Sequence, residues 1–149
     1  MSIGKFCHRQ VITAQRDDSV LEAAKLMRQH HVGDVLVVEA HNGRNIPVGI
    51  VTDRDLVVEI MAPELAPETI TVGDIMVEEI AVIEQSVGVF EAIQNMRIKG
   101  IRRLPVVDKS GGLVGIITFD DLLALLAEEL GTLVKAVARE QQKEVNSRR

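Results

Sequence analysis

Pro47-Val48-Gly49-Ile50-Val51-Thr52-Asp53-Arg54-Asp55-Leu56 is a short run rich in β-branched residues that ends on Thr, with Asp three places further on. It returns as Leu113-Val114-Gly115-Ile116-Ile117-Thr118-Phe119-Asp120-Asp121-Leu122. The β-branched run predicts a strand, and Thr-x-x-Asp predicts the opening of a helix. Working outward, a shift of 69 positions lays residues 3–39 on 72–108 without a gap. Gly4 then meets Gly73, Val20 meets Val89, Glu22-Ala23 meets Glu91-Ala92, Met27-Arg28 meets Met96-Arg97, and Val37-Val38 meets Val106-Val107. Beyond that the shift becomes 66, because the loop Ala40–Pro47 is three residues longer than Lys109–Leu113. Register kept over so many positions, with one length change in a Gly-containing loop, establishes a duplication.

Each copy predicts the same order of elements. A short stretch (Val11–Ala14; Ile80–Ile83) precedes a helix marked by Val20, Ala23, Ala24 and Met27, or by Val89, Ala92, Ile93 and Met96. Two strands follow, Val35–Val38 with Val48–Thr52 and Leu104–Val107 with Leu113–Thr118, joined by loops holding Asn42-Gly43 and Gly111-Gly112. A second helix starts at Asp53 and reaches about Met61; its counterpart starts at Phe119. Leu122, Leu123, Leu125, Leu126, Leu130, Leu133, Val134 and Val137 carry that last helix far, with Gly131 marking a bend and a frayed polar end from Arg139. Residues 3–62 and 72–130 are thus the two copies, 63–71 with Pro63 and Pro67 a linker, and 131–149 a C-terminal extension. The fold class is α+β (α/β), a tandem of β-α-β-β-α units of about 60 residues. One such unit alone buries too little surface, so packing the two sheets together is a stability requirement.

Composition narrows the function classes. The chain has 149 residues, 46% of them hydrophobic, enough for a real core. With three Phe, no Trp and no Tyr, it lacks the aromatic platforms on which single-stranded nucleic acid stacks. A net charge of −5 disfavours a duplex-binding surface, so no nucleic-acid partner is expected. A single cysteine allows no internal disulfide and suits a reducing compartment. MSIGKFCHRQ turns polar too early for a secretory leader, and no run of about 18 apolar residues exists for a membrane span. The expectation is a cytoplasmic protein.

A V-G-I-V-T strand running into D-R-D-L, after a helix and an R-L-P-V-V-D strand, resembles the cystathionine β-synthase (CBS) domain. Both copies show the first motif, and Val72-Gly73-Asp74-Ile75-Met76 and Ile101-Arg102-Arg103-Leu104-Pro105-Val106-Val107-Asp108 are also similar to it. The resemblance covers about residues 3–127. It implies a tandem pair, or Bateman module, with pseudo-twofold symmetry and two clefts between the copies for AMP, ADP, ATP or S-adenosylmethionine. It implies further association into a homodimer, and regulation of some other, unnamed protein.

It also implies roles for particular residues. Asp55 and Asp121 would accept the ribose hydroxyls, with Thr52 and Thr118 beside them and Arg54 and Asp120 in the same corners. A carboxylate can take both vicinal hydroxyls of a ribose, and the start of a helix favours a nearby phosphate. The competing reading is that Thr-x-x-Asp only caps a helix. Arg102 and Arg103 occupy the position from which the family presents a cation to phosphate, against plain surface arginines as the alternative. The first copy has Gly33 and Asp34 there, which predicts unequal clefts. Adenine would lie against Ile12, Ala14, Val32, Ile80, Val82 and Ile101, with Thr13, Ala81 and Pro105 also among the nucleotide-binding residues. These apolar residues are equally suited to the core.

The remaining candidates carry less. Cys7 aligns with Met76, an apolar packing position, and His30, His31 and His41 lack the spacing of a zinc site. No metal site is expected; Mg²⁺ would arrive only with a triphosphate. No G-x-S-x-G, P-loop or G-x-G-x-x-G occurs, and no nucleophile–base pair is evident, so catalysis is not expected. The leading expectation is a non-catalytic nucleotide sensor. A ligand-free dimeric scaffold stands second and a small hydrolase third.

Overall fold

The computed structural model describes residues 1–148. After a 3-10 turn at Ile3–Lys5 come β1 (Thr13–Ala14), α1 (Val20–His30), β2 (Asp34–His41), β3 (Arg44–Thr52) and α2 (Asp53–Asp55), which continues as a π-helical turn at Leu56–Met61. The second copy contributes α3 (Val72–Ile75), β4 (Ile83–Glu84), α4 (Val89–Lys99), β5 (Arg103–Val107), β6 (Leu113–Thr118) and α5 (Phe119–Ser147). Each copy builds its own three-stranded sheet, in the orders β1-β2-β3 and β4-β5-β6. The first strand of each is parallel to its neighbour, and the next pair is antiparallel. Both antiparallel pairs slip register at equivalent places, between Val37 and Val38 and between Val106 and Val107. Asn42 and Gly43 close the first hairpin with φ of 50° and 77°, left-handed values that this residue pair tolerates.

The expected elements are all present, with different ends. The residues Val11–Ala14 and Ile80–Ile83 yield only the two-residue strands β1 and β4. Strand β2 extends well past Val38, because the long loop pairs with itself as far as His41 and Arg44. At Gly131, where a bend is expected, and from Arg139, where fraying is expected, α5 is continuous helix as far as Ser147, and Arg149 lies outside the described residues. Among the described residues no helix is long and apolar enough to cross a membrane.

Helical spacing places the core. Val20, Ala23 and Met27 of α1 are buried, as are their register mates Val89, Ala92 and Met96 of α4. They cover Val35, Val37 and Val51 in one copy and Leu104, Val106 and Ile117 in the other. Each core, however, includes a piece of the opposite copy. Ile3, fully buried, belongs to the core of the second copy, while Val72 and Met76 belong to that of the first. The backbone makes the exchange reciprocal: Ile3 N–H donates to the Val87 carbonyl (2.9 Å) and Gly4 to Gln85 (3.0 Å), while Val72 donates to Asp18 (2.8 Å) and Gly73 to Arg16 (3.0 Å). A side chain at Gly4 would meet the Gln85 carbonyl oxygen at 2.9 Å, so this crossing admits only glycine without a shift. Pairing of the copies is therefore built into each core.

Candidate functional site

The two strand-to-helix corners are made by their caps. Thr52 accepts the Asp55 N–H on its hydroxyl (3.2 Å), and the Asp55 carboxylate accepts the Thr52 N–H (2.8 Å). Thr118 and Asp121 repeat the arrangement at 3.1 and 2.9 Å. Each is a complete capping box, which satisfies two otherwise orphaned backbone donors. Capping uses only one oxygen of each carboxylate, Oδ2 in both corners. A second bond braces each corner from behind. Asp53 N–H donates to the Gly33 carbonyl at 2.9 Å, and Phe119 N–H to that of Arg102 at 2.7 Å.

Each corner opens on a cleft shared by the two copies. The first, about 740 Å³, is lined by Ile50 and Thr52 of the first copy and by Val77, Glu79, Ile80, Ala81, Lys99, Ile101, Arg102, Arg103 and Pro105 of the second. The second, about 450 Å³, is lined by Ile116 and Thr118 of the second copy and by His8, Arg9, Gln10, Val11, Ile12, Val32 and Asp34 of the first. Apolar strand edges thus stand on one side of each cleft and a polar corner on the other. That is the lining a ligand with an apolar ring and a polar tail requires.

Most of the expected site residues come together here, but not all. Thr52, Ile80, Ala81, Ile101, Arg102, Arg103 and Pro105 line the first cleft. Ile12, Val32, Asp34 and Thr118 line the second. Ala14 does not: it is buried among the core residues of the first copy. Thr13 is paired with Leu36 in the sheet, exposed Val82 lies outside both linings, and Gly33 is engaged through its carbonyl. Arg54 and Asp120 are exposed and line neither cleft. Asp55 and Asp121 stand just behind their threonines, one hydrogen bond from a lining residue. The unforeseen members are Ile50 with Ile116, Val77 with His8, and Arg9, Gln10, Val11, Glu79 and Lys99. The repeat register carries the signal for several of them, since Val11 is the mate of Ile80 and His8 the mate of Val77.

Charge distinguishes the clefts. Lys99, Arg102 and Arg103 face the first. Arg102 lies 3.6 Å from the Asp120 carboxylate and 5.9 Å from the Phe119 ring centroid, where a cation meets the negative face of the ring. Arg103 reaches across to Asp34 of the other copy, with Nε and Oδ2 3.0 Å apart. That N–H makes no directed hydrogen bond to the carboxylate, so the contact is an ion pair set by proximity. Burial pushes the Asp34 carboxyl above the usual range, and the Arg103 charge opposes that shift. Burial acts upward on Asp121 as well, but the Thr118 N–H and His8 outweigh it and hold that carboxyl below its ordinary value.

The pattern of the CBS domain family matches residues 3–62 and 72–128, the two copies traced above. The chain belongs to the CBS domain family. An uncharacterized protein of Methanopyrus kandleri is 35% identical over 142 residues, which are 95% of this chain and 71% of that one. Among solved structures, the CBS domain pair of protein MJ0100, in complex with 5′-methylthioadenosine and S-adenosylmethionine, is 26% identical with a TM-score of 0.73 and covers 87% of this chain and 98% of that one. A hexameric CBS-CP12 protein from bloom-forming cyanobacteria is 28% identical with a TM-score of 0.71, covering 83% of this chain and 69% of that one. The CBS pair here comprises both sheets, both exchanged turns and both clefts.

Proposed function

We propose that this CBS pair is a non-catalytic regulatory sensor that binds an adenosine ligand, an adenine nucleotide or S-adenosylmethionine, between its copies. The observation carrying the reading is the first cleft, where apolar Ile80, Ala81 and Ile101 face the Thr52–Asp55 corner with Lys99 and Arg102 beside it. An adenine ring fits the apolar side, a ribose the carboxylate, and a phosphate the cations. The MJ0100 pair, complexed with two adenosine compounds, supports this class of ligand. Mg²⁺ would enter only with a bound triphosphate. Because both copies line each cleft, a ligand that prefers one angle between them shifts the pair toward that angle, and a partner protein reads the change.

We further propose a homodimer as the working form. Leu123, Leu126, Leu130, Leu133, Val134 and Val137 form an exposed apolar stripe on α5 that none of the described residues covers. The same stripe favours the second reading, a scaffold whose function is assembly alone.

Thermal shift of the purified protein with AMP, ATP, NAD and S-adenosylmethionine separates the two. A ligand at one hundred times its Kd adds about 2.7 kcal/mol to stability and raises Tm by several degrees. Asp55→Ala and Asp121→Ala should each remove one binding event and leave a folded protein. No stabilisation by any of the four at millimolar concentration would leave only the scaffold.

A further inference from the structure

The two clefts are related by the repeat, and one position differs in what it offers the carboxylate of its corner. His8 and Val77 are register mates. Each pairs its backbone with the strand leading to a Thr-x-x-Asp corner, His8 with Ile116 and Val77 with Ile50. At the first corner the free oxygen of Asp55 has no protein partner among the described residues, and the Val77 side chain can offer none. At the second corner both oxygens of Asp121 are engaged. Oδ2 accepts the Thr118 N–H at 2.9 Å, and Oδ1 stands 2.8 Å from His8 Nε2. With Asp121 ionised, Nε2 is the donor. His8 also lines the second cleft, which is smaller than the first by about 290 Å³ (740 less 450).

We propose that His8 is the built-in competitor for the ribose site of the second cleft, so that the first cleft fills first and the second only when ligand displaces the imidazole. The inference rests on the adenosine reading of the clefts. A ribose diol offers two donors to a carboxylate, and at Asp121 the imidazole already holds the oxygen it needs. The exchange is possible because the His8 side chain is 66% exposed and can swing into solvent. A lost hydrogen bond to a charged group corresponds to about a tenfold change in affinity or more. Val77 makes no such demand. His8 is therefore a specificity residue that makes two similar clefts respond to different ligand concentrations.

Calorimetric titration of the full chain with AMP, and separately with S-adenosylmethionine, tests this on the parent, His8→Val, Val77→His and Asp55→Ala. The parent should show two unequal events, and Asp55→Ala should remove the tighter one. His8→Val copies the first corner into the second and keeps the backbone pairing with Ile116, so the weaker event should tighten about tenfold. Val77→His should weaken the tighter event by a similar factor. A parent that binds AMP or S-adenosylmethionine with His8→Val unchanged in both events would overturn the competitor role while leaving the sensor intact. Binding of neither probe by the parent or by His8→Val would overturn both.

Discussion

The two halves of the chain agree down to the slip after Val37 and Val106, and they diverge at the same corner. After Thr52 the helix keeps its regular form for three residues and then loosens into a π turn ending at Met61. After Thr118 it runs for 29 residues. The corners themselves, with their capping boxes, are alike. What differs is what each corner faces: Glu79, Lys99, Arg102, Arg103 and Val77 in the first cleft, and Arg9, Asp34 and His8 in the second. Duplication thus preserves the backbone devices that make the pair fold. The side chains that distinguish the clefts lie beside those devices.

The exchange of opening turns is where that comparison breaks most visibly. Ile3→Ala should cost about 3 kcal/mol by denaturant unfolding, although Ile3 is the third residue of the chain, because it is fully buried in the second copy. Its mate Val72→Ala, with a smaller side chain to lose, should cost about 2 kcal/mol. A loss near zero for Ile3→Ala, as expected of a residue outside any core, would contradict the exchange.

A subtler contrast lies at Gly49 and Gly115, where the opposite copy's turn crosses the strand. A side chain at Gly115 would meet the His8 carbonyl oxygen at 2.5 Å, a backbone atom that cannot step aside alone. At Gly49 the obstacle is the side chain of Met76, which can change rotamer. Gly115→Ala should therefore lose about 2 kcal/mol and Gly49→Ala about 1 kcal/mol, measured in the same way. Equal losses would mean that the two crossings are equally rigid.

The smallest effect concerns two acids. Carboxyl titration by NMR should place Asp34 above and Asp121 below the ordinary value of about 3.9. Because its folded-state pKa is lowered, Asp121 contributes stability that is present above the unfolded value and is lost as pH falls through the folded one. Asp34 acts in the opposite sense: its raised folded-state pKa gives a contribution present at low pH and lost as pH rises through that value. The advantage of the parent over Asp121→Asn should thus be a few tenths of a kcal/mol near neutral pH and should shrink on acidification. The reverse order of the two pKa values would show that the burial of Asp34 or the His8 contact to Asp121 does not persist in solution.

Much of this was legible in the residues. The shift of 69 positions, the β-branched runs and the Thr-x-x-Asp corners foretold the repeat, the strands and the helix starts, because each is a local preference of the backbone. Seven lining residues of the first cleft and four of the second were also foreseen. The departures have two causes. Ala14 and Val82 lie in short, largely apolar stretches, and residue type by itself does not say which face of a strand looks into a core and which into a cleft. The helix passes Gly131 unbroken because one glycine in a strongly helical stretch costs only about 1 kcal/mol.

The sequence by itself determined that there are two copies, where their strands and helices begin, and that a carboxylate follows each strand-to-helix corner. Those are properties of neighbours along the chain. Only the tertiary structure decided that Ile3 packs in the far copy, that Arg103 meets Asp34, and that His8 reaches Asp121. Each of these joins residues at least 69 positions apart, and such contacts are set by how two sheets pack rather than by local preference.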